Sequence, residues 1–221
     1  MQNQKENIGK TNGSKVGERL WGNSPEFIYF DVGGVIFDFE GGIKNLANLL
    51  GTNFKLCESI FKKYDPIICR GDITPQELWG KYKSETGFKG KDIDFADFWT
   101  DQFVPIPEIH EFIKELSKDY AVGLLTNIYP GVFQLMLGKS KIPNIPYATV
   151  IQSCEEKLIK PEDGFLQIAE ERSGVNPNKI VLIDDAEANV IAVVKRGWNG
   201  VLFDRQKPSD AIERTRDLLS I

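Results

Sequence analysis

Residues 27–35 read Phe-Ile-Tyr-Phe-Asp-Val-Gly-Gly-Val, a short apolar run that ends in Asp31 and is followed by a pair of glycines. A continuous apolar run of this length is typical of a strand that is buried on both faces of a parallel sheet. In such sheets the functional groups lie at the carboxyl ends of the strands. The segment therefore predicts an α/β fold with chemistry at Asp31.

Strand and helix signals alternate after Pro105. A helix with an apolar stripe opens at Pro107, and later helices are predicted to stop at Gly174 and Gly197. The predicted strands cover 120–125, 148–152, 180–183 and 201–203, and the later helices cover 187–196 and a segment begun by Ser209. Repeated units of this kind predict a Rossmann-like, doubly wound parallel sheet with helices on both faces.

The stretch from residue 43 to 104 carries helical signals only. Its clearest one is Thr74-Pro75-Gln76-Glu77, in which a capping threonine, a proline in the first turn and a glutamate three residues on mark a helix start. Residues 43–104 are therefore predicted to be an all-helical insertion in a core formed by residues 25–42 and 105–221. Residues 1–24 are rich in polar residues and glycine, and are predicted to be a flexible tail.

The composition argues against several classes of protein. With 27 basic and 32 acidic residues, a formal net charge of -5 and no long basic run, nucleic acid is not an expected partner. Three cysteines in no Cys-x-x-Cys spacing favour neither a disulfide framework nor a zinc site. No apolar run approaches the roughly 18 residues of a membrane span, and no signal-peptide core is seen. We expect a soluble cytoplasmic monomer or homodimer without membrane partners.

Four short polar segments fall where predicted strands end. They are Asp31-Val32-Gly33-Gly34-Val35, Thr126-Asn127, Lys160-Pro161, and Asp184-Asp185 with Asn189 four residues beyond. In order and spacing they resemble the four motifs of the haloacid dehalogenase-like superfamily. The resemblance spans about residues 27 to 203, and the helical insertion is similar in position and character to that family's helical cap domain.

The resemblance implies a magnesium-dependent hydrolase with Asp31 as its nucleophile. Mg²⁺ would be held by the carboxylates of Asp31, Asp184 and Asp185 and by the backbone carbonyl of Gly33. A carboxylate can attack a phosphate dianion only where the repulsion between them is cancelled, which a divalent cation and a lysine such as Lys160 accomplish. The expected intermediate is an aspartyl-phosphate on Asp31.

The same resemblance assigns the substrate contacts to Thr126, Asn127, Gly34 and Lys160. Thr126 and the amides after it would donate to phosphate oxygens, and Lys160 would offset the crowded negative charge. Asn189 would orient the acidic cluster. Because a compact helical cap excludes water and large substrates, the expected partner is a small phosphorylated metabolite, for example a sugar phosphate.

The sequence departs from the family's phosphatase pattern at Gly33. Phosphatases of the family usually carry a second aspartate there, which protonates the leaving oxygen and then activates water. Sequences similar to this Asp-x-Gly-[Gly/Asn]-Val variant include sugar-phosphate phosphatases that act on anomeric phosphates. Asp38 is a second-choice replacement for the missing acid, although a turn or cap role is more typical of its position.

Two other functions remain open on the sequence alone. A carbon-halogen hydrolase would use Asp31 against carbon without a metal, but Asp184 and Asp185 then have no task and buried carboxylates are costly. A metal-binding protein with weak or no turnover is the other, and Gly33 is the feature that favours it. Arg70 is a weak candidate for contacting an anionic substrate. The aromatic residues of the insertion are interpreted as its core, namely Trp79, Phe95, Phe98 and Trp99.

Overall fold

A computed structural model describes residues 25–221, so the tail predicted at residues 1–24 lies outside the described residues. The strands are β1 (Phe27–Phe30), β2 (Phe37–Asp38), β3 (Val104–Pro105), β4 (Ala121–Thr126), β5 (Thr149–Gln152), β6 (Ile180–Asp184) and β7 (Asn199–Leu202). Five of them form one parallel sheet in the order β5-β4-β1-β6-β7. The predicted fold class, a doubly wound parallel sheet, is confirmed.

Helices connect these strands. They are α1 (Glu40–Leu50), α2 (Phe54–Cys69), α3 (Pro75–Thr86), α4 (Phe95–Asp101), α5 (Pro107–Leu116), α6 (Val132–Gly138), α7 (Ser153–Glu156), α8 (Asp163–Ser173), α9 (Glu187–Lys195) and α10 (Pro208–Leu219), with a 3-10 turn at Pro177–Lys179. Between residues 25 and 221, no helix combines the length and the apolar character that crossing a bilayer requires.

The apolar run of β1 is buried because both faces of the central strand are covered. Ile28 and Phe30 belong to a hydrophobic cluster that also contains residues of α5, α10 and the insertion. Phe27 and Tyr29 belong to a second cluster with residues of α8 and α9. Alternate side chains of a strand point to opposite faces, so a strand between two helical layers must be apolar throughout. The Tyr29 hydroxyl donates to the Ala169 carbonyl at 2.9 Å, so its polar atom is also satisfied.

The sheet order places the end of β1 between the ends of β4 and β6. Phe30 lies opposite Leu124 of β4 and Ile183 of β6 in the parallel register. The chain leaves β1 toward β4 on one side and reaches β6 on the other, which opens a crevice at the carboxyl edge. The residues that follow these three strands therefore face the same crevice.

Helices α1 to α4 lie between β2 and β3, which pair antiparallel through Phe37 with Pro105 and Asp38 with Val104. Helix α3 begins with the capping box predicted at Thr74 and Glu77. The segment is helical as predicted, although its first helix begins at Glu40 and not at residue 43. The two-residue strands were not predicted, because two residues are too few to show an alternating pattern. The division into a core domain and a cap domain stays a prediction.

The predicted bounds of β7 were wrong. The strand covers Asn199–Leu202 and not residues 201–203. Asparagine and glycine are depleted in strands, so Asn199 and Gly200 carried no strand signal. Pairing with β6 decides the conformation, and the Asn199 side-chain amide donates to the Ile180 carbonyl at 3.2 Å.

Glycine at position 123 of β4 should be required by the packing of the sheet. A Cβ there would lie 2.8 Å from the Tyr29 ring and 2.9 Å from the Phe27 ring. We expect Gly123→Ala to lower the free energy of unfolding by about 1–3 kcal/mol, as overpacking of a core does. Urea denaturation followed by circular dichroism measures the change.

Gly80→Ala is the matched control, because Gly80 is exposed within α3 and a Cβ there would meet no atom within 4 Å. It should raise the free energy of unfolding by about 0.5–1 kcal/mol through helix propensity. Equal effects of the two substitutions would contradict the packing described for β4.

Candidate active site

Three carboxylates meet at the carboxyl edge of the sheet. Asp31 follows β1, Asp184 ends β6, and Asp185 comes next in the chain. One oxygen of each lies within 4.8 Å of the others. Within residues 25–221 this is the one group of three or more histidine, cysteine, aspartate or glutamate side chains with such geometry. The structure therefore brings together the acids that the sequence assigned to a metal site.

Lys160 places a buried ammonium between two of these acids. Its Nζ lies 2.8 Å from Asp31 Oδ1 and 2.6 Å from Asp184 Oδ2, and the side chains of Lys160 and Asp184 are both 0% exposed. Burial disfavours the charged amine, but the two carboxylates outweigh this effect and the pKa of Lys160 is raised. The lysine therefore stays protonated at neutral pH and holds the two aspartates in one arrangement.

Donors occupy both oxygens of Asp184. Asn189 Nδ2 lies 2.9 Å from Oδ1 and 3.1 Å from Oδ2, and the Ala186 N–H donates to Oδ1 at 2.9 Å. Asn189 stands in the first turn of α9, which brings its amide back over the end of β6. The orientation of Asp184 is consequently fixed before any ligand binds.

Asp31 is buried and has one occupied oxygen. Its Oδ1 accepts from the Val32 N–H at 2.7 Å and contacts Lys160, whereas no described residue donates to Oδ2. Burial raises the pKa of Asp31, Lys160 opposes the shift, and the charges of Asp184 and Asp185 add to it. Oδ2 is therefore the oxygen that is free to contact a ligand.

Asp185 lies at the exposed side of the cluster, directly beside Gly34. Gly34 has a φ of 80°, and a Cβ on it would overlap the Asp185 carboxylate. Enclosure of the carboxylate raises the pKa of Asp185 to about 6, and the charge of Asp184 adds to the shift. Glycine is thus needed at position 34 both for the turn and for the close approach of Asp185.

The charge balance of the cluster suits a divalent cation. Three carboxylates face a single lysine, so that full ionisation leaves two negative charges without a partner. Every side-chain ligand is a carboxylate oxygen, the donor type that hard cations prefer. The Gly33 carbonyl, predicted as a further ligand, accepts no hydrogen bond from the described residues. These residues fit such an ion.

Asn127 contacts the main chain of Lys160 through its side chain, a contact that sequence reasoning did not predict. Its Oδ1 accepts from the Lys160 N–H at 2.8 Å, and its Nδ2 donates to the Lys160 carbonyl at 3.3 Å. The Ile128 N–H is already used by Ser153 Oγ at 2.9 Å. The side chain of Asn127 therefore positions Lys160. Substrate contacts by Thr126, which is buried, and by the Asn127 main chain stay predictions.

The ring of Phe39 lies beside position 33. A Cβ on Gly33 would lie 3.4 Å from Cε1 of Phe39, so this ring occupies the space next to the site of the missing aspartate. Asp38 accepts a hydrogen bond from the Glu40 N–H at 2.9 Å and pairs with Arg205 at 3.3 Å. It serves the start of α1, which does not favour the hypothesis that it replaces the missing acid.

Sequence reasoning missed Ser153, which joins the insertion to the core. Its Oγ donates to the Cys69 carbonyl at the end of α2, at 2.5 Å, while it accepts from Ile128. Arg70, a weak candidate for substrate contact, instead pairs through both guanidinium nitrogens with Glu162, with one contact of 2.9 Å. Neither role has a local sequence signal, because each depends on segments more than 80 residues apart.

A cavity of about 80 Å³ lies between the insertion and the core, beside this cluster. Gly33 and Asn127 line it from the core, and Asp65 lines it from α2. Most of its wall is aromatic, formed by Phe37, Phe39, Phe61, Trp99, Phe103 and Tyr129. Trp99, interpreted from sequence as core of the insertion, packs on Phe95 and also lines this cavity.

Comparison with known proteins identifies a family for this chain and proteins of similar sequence. A family model described as haloacid dehalogenase-like hydrolase matches residues 26–195. The chain is 30% identical over 105 residues to (S)-2-haloacid dehalogenase 4A of Burkholderia cepacia, covering 45% of this chain and 43% of that protein. It is 27% identical over 106 residues to acyl-CoA dehydrogenase family member 10 of Mus musculus, covering 47% of this chain and 10% of that protein. Each match spans less than half of the curated relative.

A solved structure is similar over most of the chain. It is a HAD family enzyme from Bacteroides thetaiotaomicron in complex with magnesium and inorganic phosphate, with a TM-score of 0.66 and 21% identity. The similarity covers 82% of this chain and 95% of that one. At this identity the likeness supports the fold.

A side chain at position 34 should push Asp185 away and weaken cation binding. We expect Gly34→Ala to displace the Asp185 carboxylate and to lower the affinity for Mg²⁺ by about tenfold or more, as changes beside metal ligands do. Isothermal titration with magnesium chloride measures this. Gly131→Ala is the control, because Gly131 also has a positive φ, of 77°, but no atom within 4 Å of an added Cβ. Equal losses in both variants would assign the effect to backbone strain.

The stabilising effect of a cation should depend on pH. The pKa values of Asp31 and Asp185 are raised in the folded, metal-free protein, so the folded state binds protons more tightly than the unfolded one. This contribution to stability is present below the ordinary aspartate pKa of about 4 and is lost as pH rises through the raised values. Mg²⁺ relieves the repulsion that then appears.

We therefore expect saturating Mg²⁺ to raise the Tm by about 5 °C at pH 8 and by about 1 °C at pH 5. Differential scanning calorimetry with and without magnesium measures both values. Asp185→Asn should reduce the shift at pH 8, and a shift that is larger at pH 5 than at pH 8 would rule out the assigned ligands.

Proposed function

The chain belongs to the haloacid dehalogenase-like hydrolases, and within this family we propose that it is a magnesium-dependent phosphomonoesterase of a small phosphorylated metabolite. The observation that carries this proposal is the set of three carboxylates, two of which pair with one buried lysine. Such a cluster is costly without a cation, and a cation is what a carboxylate needs in order to attack a phosphate dianion. Hydrolysis would proceed through an aspartyl-phosphate on Asp31.

The ion would be held by Asp31 and Asp185, with the Gly33 carbonyl as a further ligand, and Asp184, whose oxygens accept from Ala186, Asn189 and Lys160, would lie beside it. When bound, Mg²⁺ would neutralise part of the negative charge on the cluster and on the phosphate oxygens. The similarity to an enzyme solved with magnesium and inorganic phosphate supports this choice of ion.

The first chemical step would use the free oxygen of Asp31. Oδ2 attacks phosphorus while Oδ1 is held by the Val32 N–H and Lys160, which fixes the carboxylate plane. The bond between phosphorus and the ester oxygen breaks, and the alcohol leaves. Lys160 stays protonated and stabilises the negative charge near the nucleophile. Thr126, at the end of β4, would donate to a phosphate oxygen.

The second step would be hydrolysis of the aspartyl-phosphate. Water attacks phosphorus, the bond to Asp31 Oδ2 breaks, and inorganic phosphate leaves with the carboxylate regenerated. Because position 33 is a glycine, the leaving alcohol would take its proton from solvent and not from a neighbouring carboxylic acid. The missing acid favours substrates whose alkoxide is stabilised in another way.

A carbon-halogen hydrolase is the second candidate, because the chain is 30% identical to a haloacid dehalogenase over 45% of its length. In that reaction Asp31 would displace halide from carbon and no cation would be needed. The substrate would bring its own carboxylate into a cavity that contains Asp65 and no lysine or arginine among its described lining residues. The charge of the cavity therefore argues for the phosphatase.

Replacing the nucleophile should separate these functions. We expect Asp31→Asn to lower magnesium-dependent phosphate release from p-nitrophenyl phosphate by about a thousandfold or more, because an amide does not form the phosphoenzyme. Molybdate-based phosphate detection, with magnesium and with chelator, measures this. Circular dichroism should show that the variant is folded.

Asp119→Asn removes an exposed aspartate and should leave phosphate release unchanged. Halide release from 2-chloropropionate in the presence of chelator would support the second candidate instead. Magnesium binding with neither phosphate nor halide release would favour a binding protein.

A further inference from the structure

The aromatic cavity beside the active site has little hydrogen-bonding capacity left. Asn127 uses both ends of its amide on Lys160. The Tyr129 hydroxyl donates to Asp65 Oδ1 at 2.8 Å. The polar side chains among the described lining residues are these three and Trp99, for whose indole N–H the described residues offer no acceptor. A ligand in the cavity would therefore meet one side-chain oxygen that accepts no hydrogen bond from the described residues, Asp65 Oδ2.

Asp65 is a carboxylate without a counter-charge. Cys69 Sγ, at 3.8 Å, shares Oδ1 with Tyr129, and no described residue donates to Oδ2, which is not sealed from solvent. Burial raises the pKa of Asp65, and only the hydrogen bonds from Tyr129 and Cys69 oppose the shift. No lysine or arginine of the described residues lines the cavity. The site thus attracts positive charge.

The wall of the cavity favours the same kind of ligand. Six of the eleven lining residues are aromatic. Trp99 stacks on Tyr129 with centroids 6.3 Å apart, and Phe37 stacks on Phe103 at 4.0 Å, so the rings support one another. Aromatic rings attract alkylammonium groups through their quadrupole, and an aromatic wall with a carboxylate combines two attractions for a cation.

On the basis of the function proposed above, we propose that this cavity receives the alcohol part of the substrate, and that this part carries a compact alkylammonium group facing Asp65. The cavity reaches Gly33, two residues from the nucleophile, so an alcohol attached to a phosphate at Asp31 would extend into it. Its volume of about 80 Å³ allows only a short chain.

The lining argues against sugars and against acids. A sugar brings several hydroxyl groups, and in this cavity most of them would lose hydrogen bonds to water without replacement. An alcohol that carries a carboxylate would be repelled by Asp65. An alkylammonium group has few hydrogen bonds to lose, and a quaternary one has none.

A cationic alcohol also fits the glycine at position 33. A positive charge near the ester oxygen stabilises the alkoxide that forms as the bond to phosphorus breaks. The substrate would thus supply part of the stabilisation that an acid at position 33 supplies elsewhere.

Two isosteric phosphate esters test the proposal. Choline phosphate and 3,3-dimethylbutyl phosphate have the same shape and differ by one positive charge. We expect the native enzyme to hydrolyse choline phosphate with a kcat/KM about tenfold or more higher, from the loss of one charge pair and its cation–π contacts. Glucose 1-phosphate, 3-phosphoglycerate and p-nitrophenyl phosphate complete the panel.

Asp65→Asn keeps the shape of the side chain and removes its charge. The ratio of kcat/KM between the two isosteres should fall toward one in this variant. Glu58→Gln is the matched control, because Glu58 lies on the same helix and pairs with Lys62 at the surface. It should leave the ratio as in the native enzyme. If Asp65→Asn does not fold, the ratio of kcat/KM between the two isosteres in the native enzyme still tests the proposal. Trp99→Leu should then lower this ratio.

The outcomes are distinguishable. Phosphate release from p-nitrophenyl phosphate with a native isostere ratio near one, or faster hydrolysis of glucose 1-phosphate or 3-phosphoglycerate than of choline phosphate, would overturn this inference and leave the phosphatase standing. If Asp65→Asn lowers kcat/KM equally for both isosteres, Asp65 acts as a general acid. That result would also overturn this inference. No phosphate release from any ester would remove the proposed function itself.

Discussion

The ammonium of Lys160, buried between the carboxylates of Asp31 and Asp184, is the interaction on which the rest of the site depends. A charge without contact to water must be fully paired, and removing one partner of a buried pair costs about 3–5 kcal/mol. The neighbouring contacts serve this requirement. Asn127 holds the main chain of Lys160, and Asn189 holds Asp184. The sheet order supplies the frame, because β1 lies between β4 and β6.

One lysine does not balance three aspartates, and this imbalance connects stability with function. Asp185 approaches so closely that a Cβ at position 34 would overlap its carboxylate. Without a cation, ionisation of Asp31 and Asp185 is unfavourable, and their pKa values are therefore raised. The cluster suits a positively charged ligand, because Lys160 offsets only part of the repulsion among the three carboxylates.

Hydrogen bonds and an ion pair connect the insertion to the core. Ser153 connects the end of α2 to the loop after β4, and the pair of Arg70 and Glu162 connects it to the segment of Lys160. The same helix carries Asp65, so these contacts also position the carboxylate of the cavity relative to Lys160. Phe39 fills the space beside Gly33 and extends the aromatic wall to the nucleophile. In the proposed phosphatase, position 33 would therefore lie between the phosphate site and the cavity for the alcohol.

The sequence by itself determined the fold class and the acidic cluster. An apolar strand ending in Asp31, and the Asp184-Asp185 pair after another strand, are local patterns, and parallel strands bring their carboxyl ends to one edge. The tertiary structure alone decided the partners of Asn127, Ser153 and Arg70, and the bounds of β7, because each depends on pairing with a distant segment. The cavity likewise follows from the tertiary structure. Asp65, Trp99 and Tyr129 lie far apart in the chain and each is unremarkable alone, and only packing of the insertion against the core makes them one surface.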